Sequence, residues 1–118
     1  MTIPSAIQGQ KYVSLATYRK SGELVRTPVW FGEEGDKLYV MSNGGSGKAK
    51  RVRNNQNARL APCTIRGKIS GPDFAAKIRI LPQQEFQRAR ETINRKYWAA
   101  RLPWIWRNTN LYLEISFV

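Results

Sequence analysis

"VSLATYRKSGELVRTPVWFGEEGDKLYVMS", residues 13 to 42, decides the fold. In "KYVSLATY", from Lys11, apolar and small residues alternate. Val13, Leu15 and Thr17 fall on one face, and Ser14, Ala16 and Tyr18 on the other, the period-2 pattern of a strand. "VRTPVWF" is rich in β-branched and aromatic side chains, and "KLYVMS" alternates again through Leu38, Val40 and Ser42. Lys20-Ser21-Gly22 and Glu34-Gly35-Asp36 separate these runs, short polar turns of the kind that close antiparallel hairpins. Glu33, Glu34 and Asp36 around Gly35 read as an exposed turn and not as an acid/base pair. Pro28 removes a ladder donor from the second run, so that strand is expected at an edge or a bulge, with backbone free for a ligand.

The rest of the chain extends the meander. "SGKAKRVRNN", residues 46 to 55, follows a glycine turn and reads as a short basic helix packed through Ala49 and Val52, with Lys48 and Arg51 on another face. "ARLAPCTI", "FAAKIRIL" and "LYLEISFV" read as further strands, with Cys63 as core. Between them, Phe86, Ala89, Ile93, Tyr97 and Ala100 recur at helical spacing in "QQEFQRARETINRKYWAAR", which starts after Pro82 and has Glu91 and Arg95 placed as an i,i+4 pair. Trp98, Trp104 and Trp106 are expected to pack in a core or subunit interface. The sum is six strands, a short basic helix and a long packing helix. No linker or repeat divides residues 1–118, and hairpins without βαβ spacing imply a small antiparallel barrel in one domain.

Composition limits the chemistry. The chain has 118 residues, enough for one modest core. With no histidine, a Ser-His-Asp triad and every His-ligated metal site are excluded. One cysteine cannot form an internal disulfide. No apolar run approaches bilayer-spanning length, so the protein is expected to be soluble, cytoplasmic and free of any membrane. If it is an enzyme, a bound cofactor carries the reaction. Twenty Lys and Arg against eight Asp and Glu give a net charge of +12, which attracts phosphorylated molecules or polyanions, or simply keeps a small domain solvated.

Gly47-Lys48 invites comparison with the phosphate loop of nucleotide hydrolases. Ser42 stands where that motif needs its first glycine, and Ala49 where it needs a magnesium-binding hydroxyl. A simpler site survives: a strand end at Ser42, a glycine turn and a helix N-terminus gather backbone donors, hydroxyls and Lys48, which suits a terminal phosphate.

The runs "VSLATYRKSGELVRTPVWF", "DKLYVMSNGGSGKAKRVRNN" and "ARLAPCTIRGKISGP" resemble the flavin- and deazaflavin-dependent proteins related to pyridoxamine 5'-phosphate oxidase. The resemblance covers the chain from about Tyr12 to the final strand. It implies a mainly β fold, a six-stranded antiparallel split β-barrel that forms a homodimer and binds FMN or coenzyme F420 at the subunit interface. Carried over by position, it places Lys48 at the cofactor phosphate with Ser42, Ser46 and either Lys50 or Arg51. It also lays the backbone of Pro28, Val29 and Trp30, next to Thr27, along the isoalloxazine edge. The implied activity is an oxidoreductase passing hydride to a small planar conjugated substrate, such as a tetrapyrrole or quinone, with no protein nucleophile. The "SGKAKR" form is closer to the deazaflavin-using branch. The longer chain of the true pyridoxamine phosphate oxidases is missing, which argues against vitamin B6 oxidation. Lys50, Arg51 and Arg53 would suit the longer anionic tail of F420. Two other functions fit the residues: a nucleic-acid-binding barrel, which explains the charge but lacks an RNA-binding signature, and a carrier of the cofactor or of a haem breakdown product.

Overall fold

A computed structural model describes residues 2–97 and 109–118. The strands of the meander form where the alternation puts them: β1 (Val13–Tyr18), β2 (Leu24–Val29) and, after a three-residue strand β3 (Gly32–Glu34), β4 (Lys37–Ser42). Then follow α1 (Gly47–Asn54), β5 (Asn57–Pro62), β6 (Phe74–Ile80), a short 3₁₀ turn (Gln83–Glu85), α2 (Phe86–Lys96) and β7 (Leu111–Phe117). All pairings are antiparallel, in the order β2-β1-β5-β6-β7-β4-β3.

The connection between the two edge strands fixes the shape of the sheet. β2 and β3 lie at opposite edges, yet only Trp30 and Phe31 separate Val29 from Gly32. Three residue steps reach roughly 11 Å at most, so the sheet must curl until its edges approach one another. The result is a split barrel. Val13, Leu15, Val29, Leu38, Val40, Leu60, Ile78, Leu113 and Ile115 fill its interior, and Val52 of α1 joins the same core. Ile3 and Ile7 insert there as well.

The outer face of β4 and β7 carries a second core. Tyr39 and Tyr112 meet Ala89, Ile93 and Tyr97, with Phe86 tilted against Tyr112 at 5.0 Å between ring centroids. Gly32 lets α2 come this close, because a Cβ there would lie 2.8 Å from the Thr92 carbonyl carbon and 2.9 Å from the Ile93 nitrogen.

Four expectations change. Glu33 and Glu34 belong to a seventh strand, β3, because Gly35 at φ 62° turns the chain tightly into β4 and leaves only Gly35-Asp36 outside the ladder. Both carboxylates then face α2: Glu34 accepts from Arg88, Arg95 and Thr92, and Glu33 from Lys96. Arg95 consequently turns to Glu34, while Glu91 is held by Gln87. The packing helix ends at Lys96, and Tyr97 is extended (φ −115°, ψ 117°). It leaves the helix because its hydroxyl is held elsewhere, accepting from Phe31 N–H at 3.0 Å and donating to Lys11 C=O at 2.7 Å. Ala100, Trp98, Trp104 and Trp106 lie outside the described residues. Pro28 does sit on an edge strand, opposite Ser14. No helix among the described residues is long and apolar enough to cross a membrane.

Candidate functional site

At the end of β4 the chain must turn sharply to begin α1. Gly45 N–H donates to Asn43 Oδ1 (2.8 Å), Ser46 N–H to Asn43 C=O (2.9 Å), and Gly44 N–H to Asn110 Oδ1 (2.6 Å). Arg53 closes the turn from the other side, donating to Gly44 C=O at 2.9 Å. Arg53 is therefore a structural clip, and it does not join the other cations of the segment.

Ser46 caps α1: its Oγ accepts from Ala49 N–H at 3.1 Å. Ser42 Oγ lies 3.4 Å from Ser46 Oγ, so the two hydroxyls expected together are together. The N–H groups of Gly47 and Lys48 have no acceptor within the helix, as for any first turn. No acidic residue stands in that turn. Lys48 is half-buried, and no carboxylate pairs with it among the described residues. Loss of water pushes its pKa down, and the neighbouring Arg51 guanidinium pushes it further. A cation here also opposes the positive end of the helix dipole. Each of these costs is relieved by a bound anion.

Arg51 is fixed in the same place. Its Nε donates to Thr17 Oγ1 at 2.7 Å, from α1 to the fully buried Thr17 of β1. Its Nη1 lies against Gly47, 2.9 Å from where a Cβ would stand. Lys50 is directed elsewhere: at 100° per residue it lies about 200° around the helix from Lys48, and it lines a groove with Tyr18 and Lys20. Of the two cations expected beside Lys48, Arg51 is the one the fold brings near it.

The second part of the site is the edge strand. Thr27, Pro28 and Val29 pair with Leu15, Ser14 and Val13 on one side only. Thr27 Oγ1 is buried without a hydrogen-bond partner. Thr17 pairs with Val25 and Thr27 with Leu15, so the two threonines are diagonal neighbours on the inner face, about 7–8 Å apart at Cα. The Thr17–Arg51 bond thus links the basic turn to the edge strand. Trp30 places its ring elsewhere, stacked on Tyr97 at 4.6 Å and 7°. Thr17, Asn110 and Tyr97 were not legible as site or framing residues. An isolated hydroxyl or amide carries no local sign of its partner in another element.

No family model matches the chain, and no curated protein matches its sequence. Solved structures do match its fold. HutZ, the haem storage protein from Vibrio cholerae, is 10% identical with a TM-score of 0.70, over 94% of this chain and 84% of that one. A candidate pyridoxamine 5'-phosphate oxidase from Listeria innocua is 12% identical with a TM-score of 0.68, over 96% and 88%. An F420-H2 dependent reductase is 17% identical with a TM-score of 0.65, over 90% and 94%. The chain is a split barrel of the fold these proteins share.

Proposed function

We infer that this split barrel is a flavin- or deazaflavin-dependent oxidoreductase, holding FMN or coenzyme F420 by its phosphate and transferring hydride to a small planar conjugated substrate. The observation that carries the reading is Lys48, a half-buried ammonium with no carboxylate partner among the described residues, two positions after the Ser46 cap. Helix donors, two hydroxyls and the Arg51 guanidinium complete a cradle for a phosphate dianion. The residues of β2 fit the rest of such a cofactor: an edge strand with one unpaired side, and at Thr27 a buried hydroxyl that lacks a partner. The bound isoalloxazine or deazaflavin ring would supply the hydride chemistry, which needs no protein nucleophile.

In this reading Lys48 and Arg51 neutralise the phosphate, Ser42 and Ser46 donate to its oxygens, and the backbone of Thr27 to Trp30 orients the ring. The site lies open at the edge of the sheet, and a second copy of the chain is proposed to close it as a homodimer. F420-dependent reduction by a protein of the same fold supports the deazaflavin form. Haem storage by another supports a carrier function. The chain has no histidine to offer as an axial imidazole, which favours the flavin class.

The test is fluorescence titration of the protein with FMN and with F420, beside Lys48→Ala, with sedimentation of both forms. Micromolar binding of one cofactor to a dimer, weakened about tenfold or more in the variant, supports the reading. Equal binding by wild type and variant, or binding of neither cofactor, overturns it.

A further inference from the structure

Beside α1 lies a group of cations of which the cofactor reading uses only Arg51. The β1–β2 turn stands beside the helix, and between them runs an open groove of about 390 Å³. Tyr18, Arg19 and Lys20 line one wall, and Lys50, Arg51 and Asn54 the other. An adjoining hollow of about 320 Å³ shares Tyr18, Arg19, Lys20 and Asn54 and adds Asn55. Four cations thus face one space, and no carboxylate lines either hollow. Glu23 reaches only the exposed Arg19, at 3.1 Å. Lys20 and Lys50 have no ion-pair partner among the described residues.

Such a groove is held together against its own repulsion. Arg51 is pinned by Thr17, and both burial and the nearby Arg19 charge press its pKa downward. Arg51 is thus a fixed charge on one wall, and it gains more from a multivalent anion than a flexible solvated cation would, because its reorganisation is already complete. A single phosphate would leave cations unmatched on one wall, whereas a chain of two or three phosphates can reach both. The remaining lining has the chemistry to recognise a base: the Tyr18 ring offers an apolar face, and the Asn54 and Asn55 amides offer both donors and acceptors. The volume lies at the lower end of the range for small-molecule sites.

We propose that the groove between the β1–β2 turn and α1 binds the oligophosphate chain of a nucleoside di- or triphosphate, at a site that adjoins the Lys48 cradle and shares Gly47 and Arg51 with it. This goes beyond the flavin reading and does not depend on it. Lys20 and Lys50 hold the terminal phosphates, Arg51 the phosphate nearest the helix, and Tyr18 with the asparagines the nucleoside.

The test is calorimetric titration at fixed ionic strength with ADP, ATP, tripolyphosphate and a short single-stranded oligonucleotide. Wild type is compared with Lys20→Gln and Tyr18→Leu, each checked for native circular dichroism, and FMN and F420 binding is measured on the same samples. The expected result is one ADP or ATP per chain, bound about tenfold more weakly by Lys20→Gln, the loss of one charge-assisted contact. Tyr18→Leu weakens ADP binding and leaves tripolyphosphate unchanged, while FMN and F420 titrations stay as in wild type. Absence of ADP and ATP binding overturns the proposal. Equal affinity for tripolyphosphate and ATP with no effect of Tyr18→Leu also overturns it, leaving a bare anion patch. Tighter binding of the oligonucleotide overturns it in favour of a strand-binding surface, and loss of FMN or F420 in Lys20→Gln would show that the groove belongs to the cofactor site.

Discussion

Glu114 and Lys48 are both charged groups withdrawn from water, and the fold treats them in opposite ways. Glu114, on the α2 side of the barrel, is 8% exposed and surrounded by donors. Arg79 gives it two hydrogen bonds, at 3.2 and 3.1 Å, and Tyr39 Oη a third at 3.2 Å. Glu34 on the same side gathers Arg88, Arg95 and Thr92. At the α1 end the cations have no such company, since Lys48, Lys50 and Lys20 meet no carboxylate among the described residues. A buried charge left without a partner is costly. Its persistence in one region, beside full compensation in the other, separates the surface proposed to take a ligand from the one that holds the fold.

The largest effect expected from breaking this division lies on the α2 side. Gly32→Ala puts a Cβ into the backbone of Thr92 and Ile93, which cannot move without lifting α2 from the sheet. A destabilisation of about 3 kcal/mol is expected in chemical denaturation, with the affinity for FMN or F420 unchanged in the folded fraction. Lys48→Ala should do the reverse. Loss of one charge-assisted contact, about 1.5–3 kcal/mol, weakens phosphate-bearing cofactor roughly ten- to a hundredfold. The ligand-free protein should unfold at an equal or higher denaturant concentration. A Lys48→Ala variant that is markedly less stable without ligand would place Lys48 among the structural residues and erase the contrast.

The same division explains what the sequence made legible. Strands β1, β4 and β7 follow from strict alternation, and the basic helix follows from a glycine turn and two apolar positions three apart; these are local signals. The seventh strand was hidden because Gly32-Glu33-Glu34 is short and acidic, and its strand character depends on α2 supplying Arg88, Arg95 and Lys96 from 54 to 63 residues away. Tyr97 was hidden for the same reason, since its hydroxyl is claimed by Phe31 and Lys11. The Lys48 cluster could be read as a group, but not its division. That Arg51 anchors to Thr17, Arg53 folds back on Gly44 and Lys50 faces away follows only from how α1 sits on the barrel.

A smaller effect should cross the two regions. Ser46→Ala removes the α1 cap and its contact with Ser42. It is expected to cost about 1 kcal/mol of stability, and also to weaken phosphate binding, because the first turn then frays where its donors are needed. Ser46→Asp keeps the cap but sets a negative charge beside Lys48. It should restore stability and still bind phosphate poorly, as measured by the same titration and unfolding curves.

The smallest effect is in the acid limb of the stability curve, and it isolates the α2 side. For Glu114, burial alone would raise the carboxyl, but the Arg79 hydrogen bonds, its charge and the Tyr39 hydroxyl outweigh that and leave the pKa below its usual value. For Glu34 the Thr92 hydroxyl leads, and Arg88 and Arg95 add to it against burial. Folded pKa values below the unfolded ones mean that the unfolded chain binds more protons in this window. The stability from these carboxylates is complete above pH 4.5, the ordinary glutamate value, and declines as the pH falls through their folded values. Glu114→Gln should flatten that decline, whereas Lys48→Ala should leave it unchanged, because a lysine whose pKa is depressed from 10.5 changes its proton count only on the alkaline side. If Lys48→Ala altered the acid limb as strongly as Glu114→Gln, the two charge systems would be coupled through the barrel and could not be assigned separate tasks.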